Sequence, residues 1–162
     1  MKTLTCIIDN REQNTAKLRA RIKKIELPIE RGTLNVGDYT GKLFLLNGEQ
    51  IMLPASVERK YAIDELCMCY CQQRGRFERE FERAKEANIR LWLLVEGATW
   101  ENIYAGKYRS KMHYKSLVAS ILSYQARYDC RIVFCKEETT GRLVRDILHY
   151  EARALLERMV DE

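Results

Sequence analysis

Proline and glycine are scarce in this chain, with 2 Pro and 8 Gly among 162 residues. So little flexible material argues against two loosely tethered domains. Histidine is almost missing: His113 and His149 stand alone, and neither has a nucleophile near it in sequence. A Ser-His or Cys-His hydrolase therefore has no local support. No glycine-rich phosphate loop is present. The longest apolar run, Leu91 to Val95, is far short of the roughly 20 residues that cross a bilayer. The opening MKTLTCIIDNRE lacks a secretory hydrophobic region, so neither a signal peptide nor a membrane partner is expected.

What is present describes a foldable domain. Hydrophobic residues make up 46% and charged residues 31%, which excludes a disordered or collagen-like chain. A chain of this length buries roughly two-thirds of its unfolded surface, enough for an ordinary core. Six cysteines without a signal peptide predict reduced thiols and a cytoplasmic location. Cys67, Cys69 and Cys71 form a C-x-C-x-C run. Ala62, Ile63, Leu66, Cys67, Tyr70 and Cys71 nevertheless fall at helical spacing, which predicts Cys67 and Cys71 on a buried face and Cys69 pointing elsewhere. Core packing explains them better than a metal, since no partner ligands stand at suitable spacing.

The net charge of +5 permits a polyanionic partner without requiring one. Its placement says more. Lys107 to Lys115 reads KYRSKMHYK, with Lys107, Arg109, Lys111 and Lys115 positive, two tyrosines and no acid. Such a stretch meets phosphates and stacks on bases, or simply forms a solvated loop leading into a helix.

Pattern gives the elements. Leu4–Ile8 reads as a strand ending at Asp9, and Leu18, Ile22 and Ile25 mark a helix with Asn14 as its N-cap. An extended piece follows over 28–34, then a strand from Val36 to Leu46. Asn47-Gly48 is a hairpin signal, and 50–60 is the return strand, with Pro54 marking an edge or a bulge. A helix is expected over 61–73. Gly75 breaks the chain before a second helix carrying Phe77, Phe81 and Ala84. Leu91–Glu96 suits a central strand covered on both faces. Leu117, Val118, Ile121 and Leu122 mark a helix, Arg131–Cys135 a strand, and Leu143 to Met159 a long final helix. The class is α/β, a central mixed sheet flanked by helices.

Glu58 and Lys60 are two apart on the return strand and share a face, while Arg59 points to the other. A two-residue loop at Asn47-Gly48 would pair Asp38 with Val57 and set it on the wrong face. A three-residue loop including Gly48, or a bulge near Pro54, restores the parity. Asp38, Glu58 and Lys60 then converge. Two carboxylates can hold Mg²⁺ or Mn²⁺, which activates water, while the lysine orients that water or steadies charge on a phosphate. Asp9 and Glu12 can reach the same end of the sheet. Asp64 falls four after Lys60, where it also suits the first turn of a helix.

These residues carry a resemblance. Ile8-Asp9-Asn10-Arg11-Glu12, Val36-Gly37-Asp38-Tyr39, and Val57-Glu58-Arg59-Lys60 with Asp64 come in order, followed by Gly75-Arg76-Phe77 and Leu93-Leu94-Val95-Glu96. The sequence resembles, over about residues 4 to 135, the nuclease domain of XPF-type structure-specific endonucleases, a branch of the PD-(D/E)XK superfamily with a restriction-endonuclease-like fold. The resemblance implies Mg²⁺-dependent cleavage of branched, flapped or forked DNA, with Mn²⁺ as a substitute. It implies Asp38, Glu58 and Asp9 as metal ligands, Lys60 as the catalytic lysine, and Asp9, Arg59 and Asp64 as support for the same site. Arg11 and Arg76 match motif positions and are candidates for DNA contact beside Lys107, Arg109, Lys111 and Lys115. Glu96 reads as a strand-ending structural residue.

Residues 1–162 read as one such domain, without the tandem helix-hairpin-helix module of larger relatives. The family also implies a homodimer that buries part of the last two helices. The rival reading is a non-catalytic DNA-binding subunit of a nuclease heterodimer. Degenerate copies of that kind lose motif residues, whereas Asp9, Asp38, Glu58, Lys60 and Asp64 are all present here.

Overall fold

Arg90–Glu96 shows how the molecule is layered. In this strand Leu91, Leu93 and Val95 enter one apolar core, while Trp92 and Leu94 enter another. Both faces of the sheet are therefore covered, as the dense run predicts. The computed structural model describes residues 3–161.

The six-stranded sheet is built from β1 (Thr3–Asp9), β2 (Ile29–Gly32), β3 (Tyr39–Phe44), β4 (Gln50–Lys60), β5 (Arg90–Glu96) and β6 (Arg131–Cys135). Their order across the sheet is β2-β1-β3-β4-β5-β6. The β1–β3 and β3–β4 pairs are antiparallel, and β1–β2, β4–β5 and β5–β6 are parallel. Six α-helices flank it: α1 (Ala16–Ile25), α2 (Ile63–Cys71), α3 (Arg74–Glu86), α4 (Trp100–Tyr104), α5 (Tyr114–Tyr128) and α6 (Thr140–Asp161). Side chains of α2, α3 and α5 fill one core, around Leu66, Phe81, Leu117 and Ile121. Ile25 of α1 and Val144, Ile147 and Leu148 of α6 fill the other with Ile8, Tyr39 and Val57.

The hairpin contains both devices, but the loop alone solves the parity problem. The Leu45 amide donates to the Glu49 carbonyl at 2.9 Å, so Leu46-Asn47-Gly48 is a three-residue loop. That loop sets the face. A bulge follows: Lys42 faces Met52 but Thr40 faces Ser56, so four steps along β4 match two along β3. The bulge advances the register by an even number and preserves the face. Without it Asp38 would stand opposite Ser56. With it, one step beyond the Tyr39–Val57 pair, Asp38 stands opposite Glu58. Pro54 lies inside the bulge of a central strand, where its missing N–H breaks no ladder bond.

Other expectations need correction. The N-cap of α1 is Thr15, whose hydroxyl accepts the Leu18 amide at 3.1 Å, while Asn14 holds the Arg19 guanidinium. Gly75 does not break the chain; it is the second residue of α3, and the break falls at Gln72-Gln73. In α2 it is Cys69 that is buried and Cys71 that is exposed. The buried stripe is wider than one heptad face because α2 is wedged between the sheet and two helices, and Cys71 ends the helix at its open side. Short α4 has too few residues for its periodicity to stand out. All six cysteines are free, and no described helix is long and apolar enough to cross a membrane.

Candidate active site

Three side chains meet where β3 begins and β4 ends. Glu58 and Lys60 point toward the α2–α3 face, and Lys60 Nζ lies 2.5 Å from Glu58 Oε1 and 5.3 Å from the centre of the Phe77 ring. Asp38 enters from the turn before β3, with Oδ2 accepting the Arg59 amide at 2.8 Å. That turn needs Gly37, whose φ is +75°. A Cβ there would collide with the Ser56 hydroxyl and come within 3.0 Å of the Val57 carbonyl. Ser56 in turn donates to the Val36 carbonyl at 2.7 Å, fixing the turn to β4.

The electrostatics are those of two neighbouring acids, Glu58 buried and Asp38 half-buried. Burial pushes the Asp38 carboxyl up to about 7; the Arg59 amide opposes this, and Glu12 and Glu80 reinforce it. Burial and the nearby Asp38 raise Glu58 well above the usual carboxylate range, and Lys60 offsets only part of this. Burial would lower Lys60, but Glu58 outweighs it and holds the ammonium above its ordinary value. An ionised Glu58 thus favours the ammonium form of Lys60.

A divalent cation fits this donor set. Asp38 Oδ2 and Glu58 Oε1 have hydrogen-bond partners, whereas no hydrogen bond among the described residues engages Asp38 Oδ1 or Glu58 Oε2. Two hard oxygens that resist ionising beside each other are the ligands such a cation prefers. The fit ends with that pair: the described residues hold no cluster of three or more His, Cys, Asp or Glu suited to a metal.

The other expected residues take separate positions. Asp9 is 1% exposed, and both its oxygens are engaged. Oδ1 accepts the Arg11 amide at 2.9 Å and Arg11 Nε at 2.6 Å, and Oδ2 accepts the Leu34 amide at 2.8 Å. Burial alone would raise Asp9, but these bonds hold it below its usual range. The structure does not bring Asp9 to the Asp38–Glu58 pair as a ligand. It ties the end of β1 to the loop that leads to Asp38. Arg11 is spent on Asp9 and on the Leu34 carbonyl.

Arg59 points away, as strand alternation requires, and forms a two-pronged pair with Glu96 at 2.7 and 3.0 Å. Glu96 also accepts the buried Thr140 hydroxyl at 2.6 Å. Arg59 therefore braces β4 against α6 through its side chain and holds Asp38 through its amide. Asp64 Oδ1 accepts the Ser110 amide at 2.6 Å, which fastens the basic segment to α2. Lys107, Arg109, Lys111 and Lys115 are exposed, as is Arg76 on α3.

Sequence reasoning passed over Glu80. Its Oε1 accepts the Gly37 amide at 3.0 Å, so α3 grips the turn that presents Asp38. The available signal was an acid at the border of the Phe77–Phe81 stripe. It also passed over Arg21, 6% exposed, which bonds the Tyr39 hydroxyl at 2.7 Å and pairs with Glu12 at 3.5 Å. An arginine in line with Leu18 and Ile25 was the signal there.

The described chain matches solved structures closely in shape. XPF from Aeropyrum pernix superposes with a TM-score of 0.65 at 20% identity, covering 96% of this chain and 68% of that one. XPF from the same organism in complex with DNA gives a TM-score of 0.64 at 19% identity, covering 93% and 66%. No curated protein matches. The family model of the ERCC4 domain matches residues 8–146. The sheet is the restriction-endonuclease-like one, and the chain belongs to the ERCC4 domain family as an XPF-type nuclease domain.

Proposed function

We propose that this chain is a Mg²⁺-dependent endonuclease that hydrolyses phosphodiester bonds in branched, flapped or forked DNA, with Mn²⁺ able to substitute. The observation that carries the reading is the half-buried Asp38 beside the buried Glu58–Lys60 ion pair, in a family whose domain the chain matches from 8 to 146. One solved structure of similar fold is titled as a complex with DNA.

Asp38 Oδ1 and Glu58 Oε2 would hold the cation. When bound, the cation supplies an activated water and neutralises charge on the phosphate. The chain's own residues do the rest. Lys60, kept cationic by Glu58, donates to a phosphate oxygen as negative charge builds there. Water adds to phosphorus and the P–O3′ bond breaks, leaving a 5′-phosphate and a 3′-hydroxyl. Gly37, Glu80 and the Arg59 amide hold Asp38 in place, and the Arg59–Glu96–Thr140 chain keeps β4 from shifting under it. Asp9 and Asp64 act as positioning residues.

A second copy of the chain is the partner we propose for the outer face of the last helix. On α6, Tyr150, Met159 and Val160 are exposed, and an apolar groove of about 680 Å³ runs between Leu4, Leu43 and Leu156; α5, which exposes Leu122, lies on the other side of the sheet.

The test is a cleavage panel of single strand, duplex, flaps, fork and four-way junction, each with Mg²⁺, Mn²⁺ and EDTA. We expect metal-dependent cuts that disappear in Asp38→Ala and Glu58→Ala, with folding retained. Full activity in both variants would refute the site. A folded wild-type protein that binds DNA and cuts nothing would establish the non-catalytic subunit instead.

A further inference from the structure

The residue after Lys60 opens onto a second feature. A groove of about 700 Å³ lies beside α2, lined by Tyr61, Asp64, Met68, Cys71, Gln72 and Arg109 among others. Its volume is within the roughly 300–1,000 Å³ of small-ligand clefts. Tyr61 is 58% exposed, so its ring is open to solvent at the groove.

Both walls are fixed from the first turn of α2. Glu65 Oε2 accepts the Tyr61 amide at 2.7 Å, which sets the ring at the end of β4. Asp64 Oδ1 accepts the Ser110 amide at 2.6 Å, which sets Arg109 across from it. The Arg109 loop is braced again by the Met112 amide donating to Ser110 Oγ at 3.2 Å and by the Tyr108 hydroxyl donating to the Met112 carbonyl at 2.7 Å. Lys107 and Lys111 flank Arg109, and the stretch contains no acid. A flat aromatic face on one wall and a cationic rim on the other complement a nucleotide. The base lies on the Tyr61 side and the phosphate on the Arg109 side, where the Asp64 carboxylate is already engaged by the Ser110 amide.

We infer that this groove is a subsite for an unpaired nucleotide of a single strand, stacked on Tyr61 and bound through its phosphate by Arg109, one residue beyond the catalytic lysine. The inference deepens the nuclease reading and rests on it for placing the scissile phosphate at Lys60. Stacking between neighbouring pairs hides both faces of a base in a duplex, so a duplex cannot fill the groove without opening. The site thus favours substrates in which one strand is already unpaired.

Binding is measured in EDTA, where chemistry is silent, by fluorescence anisotropy of a short labelled oligothymidine and of a duplex of equal length. Tyr61→Ala is expected to weaken single-strand binding about tenfold, the cost of one lost stack, and to change duplex binding less than twofold. Tyr61→Phe keeps the stack and binds as the wild type does. Arg109→Ala weakens the single strand as well. A second readout needs no substitution. Cys71 lines the groove and is exposed, so its alkylation by iodoacetamide, followed by mass spectrometry, should slow with oligothymidine and not with duplex. Unchanged single-strand affinity in Tyr61→Ala, with Cys71 unprotected, would overturn the subsite while leaving the nuclease reading standing. A wild-type protein that binds neither nucleic acid would overturn both.

Discussion

Asp38 shows what the fold imposes on a single residue. Its amide, its Oδ2 and the turn before it are all fixed to β4 or α3, which holds the half-buried carboxyl beside Glu58. A carboxyl whose pKa rises from 3.8 unfolded to about 7 folded binds its proton more tightly in the folded state. The stability this group contributes is complete below about pH 4 and is lost as the pH climbs through 7. We expect the metal-free protein to melt at a lower temperature at pH 8 than at pH 5. Asp38→Asn should reduce that dependence, Glu58 keeping its own share, and stabilise the protein at pH 8 by on the order of 2 kcal/mol. Thermal melts of both proteins across this range in EDTA are the check. A wild-type melting temperature that is flat with pH would contradict the raised carboxyl. Mg²⁺ should restore wild-type stability at pH 8 and do nothing for Asp38→Asn, because a ligand that binds only the folded state stabilises it.

Elements show where packing overrides local rules. Gly141 is the second residue of α6, where alanine would favour a helix by about 1 kcal/mol. The approach of α1 forbids it: a Cβ on Gly141 would stand 2.5 Å from the Arg21 carbonyl and 2.8 Å from Lys24 Cβ. Gly141→Ala should therefore destabilise despite its propensity, by about 1–3 kcal/mol, lowering the melting temperature by roughly 5 °C. An increase would show that the helices part freely. Nothing in the sequence marks this contact, because it joins elements about 120 residues apart in the chain. The same reason explains what else was hidden. Glu80 on Gly37 and Asp64 on Ser110 are long-range bonds from side chains that, read locally, are ordinary helix-surface acids. What was legible obeyed short periods: the strands, the long helices, and the shared face of Glu58 and Lys60. The hairpin lay between these cases. Its parity was deducible as a requirement, but the combination of a three-residue loop and an even-numbered bulge depends on how β4 is gripped from both sides. The order of the short motifs revealed the family, since most of them lie at strand ends, with Asp64 and Gly75-Arg76-Phe77 on the helices that follow.

At the scale of the whole molecule, charge decides how a polyanion approaches. The net excess of +5 is modest, and much of the arginine is spent internally, on Asp9, Glu12, Glu96 and Glu151. The basic segment is different: Lys107, Arg109 and Lys111 are exposed on a loop that Asp64 holds beside the end of β4. A cation that meets a phosphate releases a condensed counterion, so each such contact steepens the fall of affinity with salt by about 0.9 for duplex and about 0.7 for a single strand. Removing two of them in Lys107→Ala with Lys111→Ala should flatten the log–log slope by about 1.8 on duplex and about 1.4 on single strand. The loss should not depend on base sequence, since phosphates carry none. Both lysines are exposed and away from the acid pair, so folding and the pH dependence of the melt should stay as in the wild type. Anisotropy titrations at several salt concentrations give the slope directly. A double variant with the wild-type slope would move the phosphate path off this loop and onto another exposed basic surface, such as the Arg76 side of α3. In that case the strand would cross the acid pair from α3, and the groove at Tyr61 would receive what leaves the site rather than what enters it.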